Sequence, residues 1–347
     1  MTQKVYIQAA TAKPCSRRPV WMMRQAGRYL PEYRAIREKH SFLEMIKTPD
    51  LATEITLQPI RRYGMDAAIL FSDILVIPEA LGSNLEFVDS IGPVIHNPIR
   101  STQDIDNLKT ADVAERYAYV LDAITSLKAE LEPTQTPLIG FCGAPFTLAS
   151  YMIEGRSSQN LKETKRWMGH QPDQFLNLLN QISDVLVAYL SDQIRAGVDA
   201  IQIFDTWAGL LSWDDFENYS YHFLRSIISR LDNPNNVPVS FFCKSSSLYT
   251  PLLTQLDLNV ISLDWTANLS HMRTLIPETI AIQGNLDPLA LFDAPDILER
   301  KVRTILKKME GRDGFIFNLG HGILPKTPLD NVQRVVDIVK ETPLLDQ

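Results

Sequence analysis

Three observations predict an α/β protein, a single-domain distorted (β/α)8 TIM barrel. Eight short apolar runs recur along the 347 residues. They are nearly continuous in hydrophobicity rather than alternating, as parallel strands covered on both faces should be. Most are followed by sequence of helical periodicity, so strand and helix alternate along the chain. A doubly wound open sheet, built from the same units, is the competing architecture.

In order, the runs are Pro19–Met23, Ala67–Phe71, Pro137–Phe141, Ala200–Phe204, Val239–Cys243, Val260–Asp264, Ile280–Gly284 and Phe315–Leu319. Between them lie explicit helix signals. Thr48 and Pro49 are the pair expected at an N-cap and first helical position, Gly64 closes that segment, and Pro59 is expected to kink it. From Asp173 to Ala196 an apolar stripe, including Phe175, Leu178, Ile182, Val185 and Tyr189, runs up to Gly197. Ser212–Leu231 and Ala294–Met309 read as amphipathic helices, and Pro328–Glu341 as the last one. The insertions after the second and third strands are long enough to distort an ideal barrel. No low-complexity linker or internal repeat divides the chain. Residues 1–347 therefore read as one barrel domain with a short N-terminal extension.

With 45% apolar side chains the chain can bury a large core. No stretch approaches the ~20 consecutive apolar residues of a membrane span. The N-terminal segment lacks the apolar centre of a secretory signal, while Lys4, Lys13, Arg17 and Arg18 leave a transit peptide open. Cys15, Cys142 and Cys243 are widely spaced and odd in number, which points to a reducing compartment. A formal charge of −7 argues against a nucleic-acid surface. The expectation is a cytoplasmic protein with neither nucleic-acid nor membrane partners.

Against that acidic balance, six arginines and a single carboxylate, Glu32, fall between Arg17 and Arg37. The arginines are Arg17, Arg18, Arg24, Arg28, Arg34 and Arg37. A guanidinium matches a carboxylate or phosphate with two parallel hydrogen bonds, so the cluster fits a ligand carrying several anionic groups. A solvated charged face is the plain alternative. In a barrel the site lies at the carboxyl ends of the strands. Those ends carry Arg24 and Arg28, then Asp73, Asp205 with Thr206, Lys244, Asp264, Asn285 and His321. Helix capping by Asp264 and a turn at Asn285 or Asp287 are the structural alternatives there. Asp73 stands out, because it lies between the apolar runs Ala67–Phe71 and Ile74–Ile77. A buried acid is costly unless paired or held ready for a ligand; a salt bridge to Arg24 or Arg28 is the competing explanation.

Other chemistries lack their motifs. There is no H-E-x-x-H and no close cysteine pair, so no metal is expected; Cys142, Cys243 and His321 are the one conceivable zinc set. Walker, G-x-G-x-x-G and G-x-S-x-G sequences are also missing.

PVWMMRQAGRYLPEYR at Pro19–Arg34 and GFCGAPFTLASYMIEG at Gly140–Gly155 resemble the two signatures of the uroporphyrinogen decarboxylase family. FSDIL at Phe71–Leu75, LDWT at Leu263–Thr266, QGNLDP at Gln283–Pro288 and NLGHGI at Asn318–Ile323 extend the likeness over essentially the whole chain. The resemblance implies a distorted barrel, usually a homodimer of the cytoplasm or plastids. It implies a lyase of porphyrin biosynthesis, on the route to haem and chlorophyll, that needs no cofactor or metal. The substrate would be uroporphyrinogen III, whose four acetates lose carbon dioxide to give coproporphyrinogen III. Its eight carboxylates would explain the arginines.

By the same resemblance Asp73, Arg24 and Arg28 are catalytic. Asp73 would accept hydrogen bonds from the pyrrole N–H groups, and the arginines would bind acetates and propionates. The implied substrate-binding set is Arg24, Gln25, Ala26, Gly27, Arg28, Asp73, Tyr151, Phe204, Thr206 and His321. Thr206 stands where some relatives have serine, Phe204 would pack on the macrocycle, and Arg37 is a weaker candidate. His321 would bind a propionate, more strongly when protonated. One departure is Ser245-Ser246-Ser247 after Lys244, where many relatives are glycine-rich; it puts the geometry around Lys244 in question.

Overall fold

A computed structural model describes residues 4–88 and 91–344. The strands are β1 (Ala68–Ile69), β2 (Leu85–Val88), β3 (Gly92–Ile95), β4 (Leu138–Gly143), β5 (Ala200–Phe204), β6 (Val239–Phe242), β7 (Val260–Ser262), β8 (Ala281–Leu286) and β9 (Phe315–Leu319). All but β2 and β3 join one parallel sheet in the order β1-β4-β5-β6-β7-β8-β9. The order never reverses, so there is no switch point and the doubly wound alternative fails. The sheet is curled. Gln202 of β5 meets Gln283 of β8 at 3.1 Å across two intervening strands, and Gln283 also accepts from the Trp21 indole at 2.8 Å.

The first predicted strand, Pro19–Met23, is reduced to one parallel bridge between Val20 and Phe317 of β9. On its other side Asp66 takes over the pairing. The Asp66 N–H donates to the Val20 carbonyl at 2.8 Å, and the Val20 N–H donates to Asp66 Oδ2 at 2.9 Å. A carboxylate thus replaces a ladder carbonyl, and Pro19 has no N–H to give, so the segment closes the ring without becoming a regular strand. The second predicted strand, Ala67–Phe71, shortens to the two residues of β1.

Helices cover the outside. Pro49–Tyr63 ends at Gly64 with φ +63°, Pro59 lies within it, and Thr48 makes no side-chain cap. Pro172–Ala196 ends at Gly197 with φ +109°. Ser212–Leu231 was expected as one α-helix; instead a π turn at Glu217–Tyr221 separates the α segments Trp213–Phe216 and His222–Arg230. The last two helices span Pro295–Lys308 and Leu329–Glu341. The first insertion holds the β2–β3 hairpin and helix Val113–Leu131, and the second adds helices Pro145–Glu154 and Lys162–His170. Among the described residues, no helix is long and apolar enough to cross a membrane.

Candidate active site

After Met23 the chain turns at Arg24, whose φ of +60° is uncommon for a side-chain-bearing residue. Gly322 leaves room for it, since a Cβ there would sit 2.3 Å from Arg24 Cδ. Gln25 is fully buried and braces the loop: its Oε1 accepts from the Met22 N–H at 3.1 Å, and its Nε2 donates to the Ala67 carbonyl at 2.9 Å. Its side chain therefore lies in the core, while the N–H groups of Ala26 and Gly27 are unbonded among the described residues.

The arginine cluster divides by partner. Arg17 binds Asp66 at 2.7 Å, Arg18 the Met309 carbonyl at 2.7 Å, Arg34 the carbonyls of Arg28 and Tyr29, and Arg37 the His40 carbonyl at 3.0 Å. Arg24 and Arg28 are exposed and, among the described residues, neither side chain has a hydrogen bond or ion pair. The Arg28 charge is felt at Tyr33, which packs edge-on to Phe71 with centroids 5.7 Å apart.

Asp73 follows β1. Its Oδ1 accepts from the Leu75 N–H at 2.9 Å, while Oδ2 has no partner among the described residues. No cation among the described residues lies within ion-pair distance, so a salt bridge to Arg24 or Arg28 does not account for it. Burial pushes its pKa up to about 6; the Leu75 N–H and the more distant Arg24 charge pull only partly the other way. The group is still largely ionised at neutral pH, with an oxygen to spare.

The adjoining wall comes from β4 and β5. Tyr151, on helix Pro145–Glu154, sits with its ring 6.0 Å from Trp207. Burial raises its phenol pKa, hydrogen bonds to Ser157 and Trp207 partly offset this, and the charges of Asp73 and Arg24 both reach it. Thr206 opens the turn Thr206–Leu210. Before it, the fully buried Asp205 accepts from the Thr147 N–H at 3.1 Å, the Thr147 hydroxyl at 2.7 Å and the Ser220 hydroxyl at 2.6 Å. Thr147 Oγ1 in turn accepts from the Trp207 N–H at 3.1 Å. This ties the helix bearing Tyr151 to the turn bearing Thr206. Phe204 is half-buried between Phe141 and Phe242, both edge-on at 5.9 and 6.1 Å.

His321 follows β9. Its Nδ1 accepts from the Gly322 N–H at 2.8 Å, which assigns the ring proton of the neutral form to Nε2. Nε2 is buried and unpartnered among the described residues. Burial first, then the charges of Arg24 and Lys244, push the pKa down to about 3. His321 is therefore held neutral, with Nε2–H as its donor.

With this geometry in place, the comparisons identify the family. The family model for uroporphyrinogen decarboxylase matches residues 1–342. The chain belongs to the uroporphyrinogen decarboxylase family. It is 47% identical over 335 residues to a uroporphyrinogen decarboxylase of Protochlamydia amoebophila, covering 96% of this chain and 91% of that one. To the corresponding protein of Trichlorobacter lovleyi it is 46% identical, with 96% and 97% covered. A solved methyltransferase from Methanosarcina mazei superposes with a TM-score of 0.82 at 20% identity, covering 97% of each chain, and shares the fold.

Two side chains at the mouth of this decarboxylase-family barrel were not assigned from sequence. The sequence marks Lys244 as a strand-end residue beside the serine run and gives Trp207 no role. The Lys244 ammonium lies 5.4 Å from the centroid of the Trp207 indole. The signal for Trp207 was its place two residues after Asp205, in a loop leaving a strand. Asp264 and Asn285 turn out to hold backbone: Asp264 Oδ2 accepts from the Ser245 N–H at 2.6 Å, and Asn285 Nδ2 donates to the Asp264 and Ala267 carbonyls at 2.8 and 2.9 Å. Ser245 adopts φ +56°, a conformation that favours glycine, and Ser246 is buried with its hydroxyl on the Ser262 carbonyl at 3.0 Å. Cys142 and Cys243 are buried with thiol pKa values pushed up, and no group of three or more His, Cys, Asp or Glu among the described residues is placed to hold a metal.

Proposed function

We propose that this chain removes carbon dioxide from the four acetate side chains of uroporphyrinogen III, giving coproporphyrinogen III for haem or chlorophyll synthesis, without a cofactor. The observation that carries the reading is Asp73: an ionised carboxylate that, among the described residues, has a free oxygen, no salt bridge, and two unpaired arginines on the neighbouring loop. Such an arrangement is poorly satisfied alone and well suited to a ligand with cationic character at its centre and carboxylates at its rim.

The chemical difficulty is the electron pair left when the acetate C–C bond breaks. Protonation of the pyrrole carbon beside the acetate-bearing position makes an electron-poor ring that accepts this pair. Carbon dioxide leaves, an exocyclic methylene remains, and a second proton converts it to methyl as the ring gives back the first. Asp73, accepting hydrogen bonds from the pyrrole N–H groups, stabilises the positive ring electrostatically. A central grip of that kind lets one site process each ring after reorientation. Arg24 and Arg28 bind peripheral carboxylates, aided by the free N–H groups of Ala26 and Gly27. A guanidinium, with a pKa above about 12, is a poor acid, so the ring proton arrives through water or a substrate carboxyl. Tyr151, Thr206 and the neutral His321 supply further hydrogen bonds, Phe204 packs against the macrocycle, and Gln25 acts by holding the loop.

The working unit in this reading is residues 1–347 as one barrel with a short N-terminal extension, acting in the cytoplasm as a homodimer. An apolar band on the loops after β5 to β8 supports the second copy. Leu210, Trp213, Leu248, Trp265, Leu289 and Phe292 are all exposed there. The test of function is anaerobic incubation of the pure protein with uroporphyrinogen III under reducing conditions. Coproporphyrinogen III and carbon dioxide are expected in a 1:4 ratio; binding without carbon dioxide release would refute the assignment.

A further inference from the structure

We propose that Lys244, held over Trp207, is a third cationic anchor for the substrate's carboxylates, on the wall facing Arg24 and Arg28. The proposal rests on the decarboxylation reading and adds a binding position to it. Three observations support it. Lys244 lies two residues beyond β6 at the mouth, half-buried, and among the described residues its ammonium has no ion pair or hydrogen bond. The ammonium lies over the indole face of Trp207, 5.4 Å to the centroid, which attracts a cation without supplying an acceptor oxygen.

The backbone beneath it is fixed from two sides. The next N–H, of Ser245, is held by Asp264 at 2.6 Å. Gly209 is packed so closely that a Cβ there would lie 2.2 Å from the Lys244 carbonyl oxygen. A lysine needed only for solubility requires no such clamp.

The third observation is its place in a circuit around the mouth. The charges of Arg24 and Lys244 both act on His321, those of Arg24 and Asp73 both act on Tyr151, and Tyr151 packs at 6.0 Å on the same Trp207 that carries Lys244. Both cations thus lie near enough to His321 to act on it, and its Nε2–H is unpartnered among the described residues. A ligand with carboxylates around its whole rim meets a cation on either side. A ligand with one anionic edge would leave Lys244 unsatisfied.

The test uses the full chain as wild type, Lys244→Met, Lys244→Arg and Trp207→Leu, in anaerobic steady-state turnover of uroporphyrinogen III at low and high salt. Lys244→Met keeps the stem and removes the charge, so KM should rise about tenfold, the size expected for loss of one charge-assisted hydrogen bond. The fall in kcat should be smaller, and added salt should narrow the KM gap. Lys244→Arg should recover most of the affinity, and Trp207→Leu should show a partial KM effect. An unchanged KM in folded Lys244→Met, or a loss confined to kcat, overturns the proposal. Equilibrium dialysis of uroporphyrinogen III against Asp73→Asn, with and without Lys244→Met, reads affinity independently of turnover. If the wild type binds but releases no carbon dioxide, the decarboxylation reading fails, and this dialysis comparison still decides Lys244.

Discussion

Asp73 is ionised in surroundings that oppose ionisation, and that tension is measurable without substrate. Its pKa of about 6 in the fold exceeds the ordinary carboxylate value, so protonation favours the native state. The contribution is fully present below about pH 4 and is lost as pH rises through 6. Asp73→Asn, neutral at every pH, should therefore stabilise the free protein at pH 7.5 by about 1–2 kcal/mol, after allowance for partial exposure, and by almost nothing at pH 4. Thermal denaturation of both forms at the two pH values checks this; an Asn variant less stable at pH 7.5 would contradict it. For His321 the shift is opposite, down to about 3. Its ring resonances should not titrate between pH 5 and 8, and a midpoint near 6.5 by NMR would show that the ring is not held neutral.

At the level of elements, the sequence revealed what depends on continuous hydrophobicity and missed what depends on distant partners. Ala200–Phe204 and Phe315–Leu319 appear at their expected bounds because each is buried along nearly all its length and paired in the sheet. Pro19–Met23 fell short of a strand because its outer rung is the side chain of Asp66, 46 positions from Val20. The π turn at Glu217–Tyr221 is invisible to a 3.6-residue period, yet it carries the Ser220 hydroxyl that reaches Asp205. Likewise the arginine cluster was evident, but which members are unpaired depends on Asp66 and on the Met309 carbonyl, far away in sequence. The loops are fixed by close backbone contacts, and this gives a test. Gly209→Ala should cost about 1–3 kcal/mol, because its Cβ would meet a carbonyl oxygen rather than a movable side-chain tip. Gly169→Ala, exposed on a helix with nothing within 4 Å, should be neutral or slightly stabilising. Equal urea midpoints for the two would contradict this account of the loop.

For the whole molecule, the mouth and the apolar band share the same end of the barrel, so the proposed dimer contact would adjoin the site. Leu289, 61% exposed, and Phe292, 44% exposed, lie on the turn after β8. Leu289→Asp with Phe292→Asp should shift the protein from dimer to monomer in sedimentation; an unchanged sedimentation coefficient would place the interface elsewhere. The barrel itself was legible because its repeated unit is written eight times in the chain. A homodimer is expected from the family resemblance alone, since a second copy leaves no periodic mark. The most direct test of the account as a whole is the turnover of uroporphyrinogen III by Asp73→Asn beside the wild type, with folding checked by circular dichroism. A fall in kcat of about 10²–10³-fold in a protein that stays folded is the predicted result, as expected when a preorganised charge is removed from a developing cation. A folded Asp73→Asn whose kcat stays within about threefold of wild type would contradict the role of this carboxylate at the centre of the site.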